Sequence, residues 1–141
     1  MYTIAIHGGA GTITRNMMTS EKEKAYSLAL KEAIDAGIKI LQSGGSAIDA
    51  VTASVVELEN CPLFNAGKGS VFTNDGTHEM DASIMSGLNR SCGAVAGVKN
   101  VRNPLLLARA VMEHTEHVLL CGAGAERFAK KINLQIGRAH V

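Results

Sequence analysis

The sequence has no tryptophan, only two prolines and three cysteines, and its charges nearly cancel. A formal net charge of +1 over 141 residues makes no electrostatic case for nucleic acid or an anionic membrane. Cys61, Cys92 and Cys121 are odd in number and widely spaced. They fit neither a disulfide framework nor a C-x-x-C pair, and read as reduced thiols, mostly buried, in a cytoplasmic protein. The opening residues MYTIAIHGG lack a basic region followed by a long apolar stretch, so no signal peptide is expected. No apolar run approaches the length of a membrane span. Internal repeats and low-complexity segments are also missing.

What remains is a chain with the makings of one ordinary domain. Hydrophobic residues form 46% of it, too many for intrinsic disorder. Fifteen glycines beside many alanines and valines imply closely packed layers and several tight turns. The run Tyr2–Ile6, ended by Gly8-Gly9, reads as a buried strand. Ser20-x-x-Glu23 carries a capping-box pattern and opens a helix with Ala25, Leu28, Ala29, Ala33, Ala36, Ile40 and Leu41 at helical spacing. Gly44-Gly45 ends that helix, and Ser46-x-x-Asp49 opens a second, which must stop before Pro62. The segment SVFTNDGTHEMDASIMSG reads as a hairpin turning at Asn74-Asp75-Gly76. CGAVAGVKN is a further strand, Asn103-Pro104 caps a helix to about His114, HVLLCG is a short strand, and residues 123–131 form a last helix. The order predicts an α/β or α+β fold, with helices enough for both sides of a sheet.

Few segments look chemically competent. HGGAGT and AGKGS lack the spacing of a phosphate-binding loop, and Lys68 is expected on the surface. His114-x-x-His117 straddles a predicted helix end with no third ligand nearby. Glu79 and Asp81 share one side of a strand, where carboxylates more often hold backbone N–H groups than perform catalysis. The glycine-rich loops are left without a chemical partner.

Taken together and in order, HGGAG, GGSAIDAV, CPLFNAGKGSVFT, HEMDASIMSG, CGAVAGV and RNPLLLARAVME resemble the N-terminal half of the plant-type L-asparaginase/isoaspartyl peptidase family. The resemblance runs from about Tyr2 to Leu134. Glycosylasparaginases are similar in fold but usually secreted and disulfide-bearing, which suits this chain less well.

The resemblance implies the α-subunit half of an αββα N-terminal-nucleophile hydrolase sandwich. In that family the precursor cuts itself before a threonine, whose own α-amine then serves as the base for its hydroxyl. The implied reaction is hydrolysis of L-asparagine or of β-aspartyl dipeptides. The implied partner is a β subunit from the same precursor, giving a heterodimer that pairs to α2β2. Gly11-Thr12 and Gly76-Thr77 are the only threonines that follow a glycine, and neither precedes an apolar strand able to hold a nucleophile. The nucleophile is therefore expected outside these residues, and the 141-residue chain alone is expected to be inactive. By position, the main-chain carbonyls of Leu58, Glu59, Cys61, Phe64, Ala66 and Lys68 would wrap a structural sodium ion. Asn65 would support the active site, and Gly8, Gly9 and Gly11 would give a processing loop its mobility.

Residues 1–134 are thus expected to form part of one hydrolase domain. Residues 135–141 are expected to be a tail outside the family pattern, since IGRAHV corresponds to one translation of a common sequencing-adapter string. A rival reading is a non-catalytic α-like protein that binds a separately encoded partner.

Overall fold

The computed structural model describes residues 1–10 and 18–134. Gly11, the Gly11-Thr12 pair and the 135–141 tail lie outside the described residues. Four helices and three strands follow in the order α1 (Ser20–Gln42), α2 (Ala47–Asn60), β1 (Met80–Met85), β2 (Cys92–Val98), α3 (Pro104–His114), β3 (Leu119–Cys121) and α4 (Gly122–Lys131). The mixed α/β class read from the sequence is observed.

The helix boundaries follow from local chemistry. The cap of α1 is Thr19, not Ser20: the Thr19 hydroxyl accepts the Lys22 N–H at 3.2 Å. Two adjacent hydroxyl residues competed for the position, and the earlier one takes it. The helix closes where Gly45 N–H reaches back to the Ile40 carbonyl at 2.9 Å. At α2 the expected Ser46 cap forms, its hydroxyl meeting both the Asp49 N–H and the Asp49 carboxylate. The buried stripe of α1 keeps Ala29, Ala33, Ala36, Ile40 and Leu41 of the expected one but not Ala25 or Leu28. Ala33 and Gly37 are buried and Tyr26, Ala29 and Leu30 half-buried, whereas Leu28 is 57% exposed.

In the sheet, β2 is central, antiparallel to β1 and parallel to β3, with α3 as the crossover between the parallel pair. The register slips between Met80↔Val98 and Ala82↔Val95. At that bulge the Asp81 carboxylate accepts the Gly97 N–H at 2.8 Å. Met80, Ile84, Val95 and Val98 point into one core with Leu105, Leu107, Ala108 and Val111 of α3 and Ala125 and Ala129 of α4. Asp81, Ser83 and Met85 on the opposite face of β1 are exposed. Among the described residues the helices therefore cover one face of the sheet, not the two expected. Helix α1 packs on α2, and α2 reaches α3.

Two expected strands do not form. Tyr2–Ile6 pairs with none of the three strands. Its half-buried Ile4 and Ile6 lean on α1 and α2 while Thr3 and Ala5 are exposed, so the alternation survives without a ladder. Apolar patterning specifies burial, whereas pairing needs a neighbour. The first arm of the expected hairpin is reduced to one bridge, Phe72↔His78, although the turn closes with Thr73 N–H on the Thr77 carbonyl at 2.7 Å. Pairing β1 with β2 buries Met80 and Ile84, while Val71 and Phe72 on the other arm are 61% and 66% exposed and bury little. No helix among the described residues is long and apolar enough to cross a membrane.

Candidate functional site

The site begins where α2 runs out. Pro62 cannot continue the helix, and Cys61 N–H turns back to the Leu58 carbonyl at 3.3 Å. The following residues coil tightly: Ala66 N–H meets the Phe64 carbonyl at 2.8 Å, Gly69 the Ala66 carbonyl at 3.0 Å, and Ser70 the Gly67 carbonyl at 3.1 Å. Phe64 anchors the coil, buried with Leu58 and Ala33 and set edge-on to Tyr26 at 5.9 Å.

Gly67 has φ +50°, and a β-carbon there would stand 2.3 Å from the Glu59 carbonyl oxygen. One at Gly69 would stand 2.1 Å from the Phe64 oxygen and 2.8 Å from that of Pro62. The two glycines therefore let the loop close onto its own carbonyl groups. Leu58, Phe64 and Ala66 each spend one lone pair on a loop N–H and keep another. A concentration of neutral carbonyl oxygens suits a hard cation better than a soft one.

Asn65 is an exposed residue of this loop, and its Oδ1 accepts the Val71 N–H at 3.0 Å. That bond leaves its NH2 donors unused by the turn. Asn65 does not take the left-handed backbone of a turn asparagine, since only Arg90 and Asn133 do so among the described non-glycine residues. It lines a cavity of about 220 Å³ with Glu59, Ser70, Glu79, Asp81 and Pro104.

The side chain of Glu59 is the feature that sequence reasoning missed. It is 4% exposed, and its carboxylate takes the Leu105 N–H at 2.9 Å and the Asn103 amide at 3.1 Å. Burial pushes its carboxyl up to about 7, with the Leu105 and Asn103 donors pulling the other way. Asn103, expected to cap α3 with its own side chain, instead donates to Glu59 and to Asn60. The available signal was a Thr52, Val55, Glu59 stripe at helical spacing, a second buried face on α2.

The other candidates are placed as follows. Gly8 packs against the Phe64 ring, its would-be β-carbon 3.0 Å from Cε1, so the HGGA segment lies beside the carbonyl loop. Gly9 has φ +103° and donates to the His7 ring at 3.1 Å. Asp81 holds the bulge, and Glu79 pairs with Lys99 at 2.9 Å on the surface. Lys68, His114 and His117 are exposed. Among the described residues no cluster of three His, Cys, Asp or Glu side chains is arranged for a metal. Thr77 is locked in its turn, its N–H and hydroxyl both on the Thr73 hydroxyl. Cys61, Cys92 and Cys121 are free thiols.

Comparison with known proteins bears on this loop and its surroundings. A family model described as asparaginase matches residues 1–140. The isoaspartyl peptidase of Salmonella typhimurium is 57% identical over 126 residues, 89% of this chain and 40% of its own length. A putative isoaspartyl peptidase/L-asparaginase of Dictyostelium discoideum is 53% identical over 133 residues, 94% of this chain and 38% of its own. The plant-type L-asparaginase of Pyrococcus horikoshii is 50% identical over 130 residues, 92% of this chain and 41% of its own. The chain thus spans about 40% of the length of these curated relatives.

Proposed function

Because the chain belongs to the asparaginase family, we propose that it supplies the N-terminal, α-subunit part of an isoaspartyl peptidase/L-asparaginase. The reaction is hydrolysis of the side-chain amide of L-asparagine or of the β-aspartyl bond of an isoaspartyl dipeptide. The nucleophile is a threonine outside these 141 residues, freed when the precursor cuts itself. The two parts remain together as an αββα sandwich and pair to α2β2. With three free thiols, the compartment is the cytoplasm.

The observation that carries this reading is the shared cavity of Asn65 and the carbonyl loop in a chain 57% identical to an isoaspartyl peptidase. In it, the Asn65 NH2 group is a neutral donor that can orient the nucleophile hydroxyl or the attacking water. Its own carbonyl oxygen is fixed by Val71 N–H, so the donor is presented in one orientation. The carbonyls of Leu58, Glu59, Cys61, Phe64, Ala66 and Lys68 would hold sodium, which when bound supplies a central charge that keeps the loop rigid. Gly8 and Gly9, beside Phe64, give the neighbouring loop the freedom that self-cleavage requires.

The test is the reading frame in genomic DNA, followed onward from the RNPLLLARAVME codons. The expected result is a frame continuing through a linker to a Gly-Thr segment, whose full product splits in two and releases ammonia from asparagine. A stop codon directly after Val141 would overturn this in favour of the non-catalytic, partner-binding reading. Asparagine hydrolysis by the pure 141-residue chain would overturn the assignment of the nucleophile.

A further inference from the structure

We propose that Glu59 is a positioning residue, whose side chain fixes the Cys61–Ser70 loop, and with it Asn65, against the start of α3. The proposal rests on the reading above that this loop serves the reaction.

Glu59 is the point where three parts of the molecule meet. Its carboxylate is bonded to Leu105 N–H and the Asn103 amide at the first turn of α3. Its main chain forms the floor under Gly67, whose would-be β-carbon lies 2.3 Å from the Glu59 oxygen and 2.7 Å from the Glu59 β-carbon. It also lines the cavity that Asn65, Ala66 and Ser70 share. The neighbouring Asn60 repeats the link, its Oδ1 accepting from Asn103 at 3.3 Å.

A cap on α3 alone does not call for this arrangement. Asn103 stands at the N-cap position with a side chain suited to the task, and a local cap would leave no carboxylate buried. The bond from Glu59 instead spans 46 residues and ties the end of α2 to α3. With both ends of the loop held, at Glu59 and through the Asn65–Val71 bond, Asn65 has a fixed place relative to the end of α2 and the start of α3. Truncating Glu59 therefore frees the loop as well as the helix end.

The test compares amide hydrogen exchange in the 141-residue chain with that in Glu59→Ala, Glu59→Gln and the double variant Glu59→Gln/Asn103→Asp. The double variant reverses the donor and acceptor of the side-chain bond. The amide introduced at position 59 donates to the carboxylate introduced at position 103, and Asn60 can turn its own amide to donate as well. In Glu59→Ala the expected result is exchange about tenfold or more faster for residues 64–71, with α1 unchanged. The double variant returns the loop to its original rate, and Glu59→Gln alone lies between. If Glu59→Ala does not fold, the contrast between Glu59→Gln and the double variant decides. Acceleration confined to residues 103–106 would reduce Glu59 to a helix cap and overturn the proposal, as would uniform acceleration throughout the chain. These rates do not depend on catalysis. An inactive full-length product with selective loop exchange would sink the functional reading alone, and an active one with unaltered loop exchange would sink the positioning role alone.

Discussion

Gly67 lies directly beneath the carbonyl of Glu59: a methyl group at Gly67 would stand 2.3 Å from that oxygen, on a backbone with φ +50°. Contact and conformation both demand glycine, so Gly67→Ala must move the loop away from α2. The strained backbone alone costs about 1–3 kcal/mol. Chemical denaturation is expected to show a lower midpoint by that order. An unchanged midpoint would mean that the loop does not close on Glu59 as described.

Ser54 presents the opposite case, a side chain that the fold would be better without. Its hydroxyl is buried where α2 meets Gly37 of α1, and it has no hydrogen-bond partner among the described residues. An orphaned buried hydroxyl costs about 1–3 kcal/mol, so Ser54→Ala is expected to raise the melting temperature. Gly37→Ala is expected to lower it, because the new methyl would stand 2.3 Å from the Ser54 oxygen and 2.5 Å from Ile4. Combining the two should recover more of that loss than Ser54→Ala gains on its own, since the pair shares one contact. Additive effects in the double variant would show that the helices do not meet there.

Those contacts also mark what could be read from the sequence. The second helix, the Asn103-Pro104 helix start and the strand CGAVAGV were legible because their signals are local: a capping serine, a proline in the first turn, and apolar residues between packed layers. Tyr2–Ile6 was misread because a strand is defined by its partner, and none of the described strands runs beside it. The Thr19 cap was misplaced by one residue because Ser20 offers the same chemistry. At the candidate site, the loop and Asn65 are named by motif resemblance rather than by a local signal. The buried Glu59 carboxylate was missed, because its partner Asn103 lies 44 residues away and looked like a self-sufficient cap.

Arg109 links the two helices on the side away from that loop. Its guanidinium reaches Asp49 at 2.7 Å, Glu113 at 2.7 Å and the Thr52 hydroxyl at 3.3 Å. The geometry uses three separate nitrogens of a planar fork, which lysine cannot reproduce. Arg109→Lys is therefore expected to lose most of the link, about 1 kcal/mol given the partial exposure of the carboxylates. The loss should shrink in high salt. Equal stability of the lysine variant at low salt would show that the fork contributes nothing.

Glu126 sets how the last helix responds to acid. Partial burial pushes its carboxyl up, but the Lys99 N–H and the side-chain and backbone N–H groups of Asn100 outweigh that and hold it below its ordinary 4.5. A carboxyl lowered by folding gives its full stabilisation above the unfolded value and loses it as pH falls through the folded one. Glu59 runs the other way: raised to about 7 by burial, its contribution falls as pH rises from 4.5 through 7. The two effects separate well below pH 4.5, where Glu59 is protonated in both states. Glu126→Gln should cost about 1–2 kcal/mol at neutral pH, since hydrogen bonds to a charged acceptor are lost. Its acid unfolding curve should meet that of the parent chain once pH has fallen through the Glu126 transition. Urea midpoints across this range decide the matter: a constant gap at every pH would show that the carboxylate charge is not what holds the Lys99–Asn100 turn.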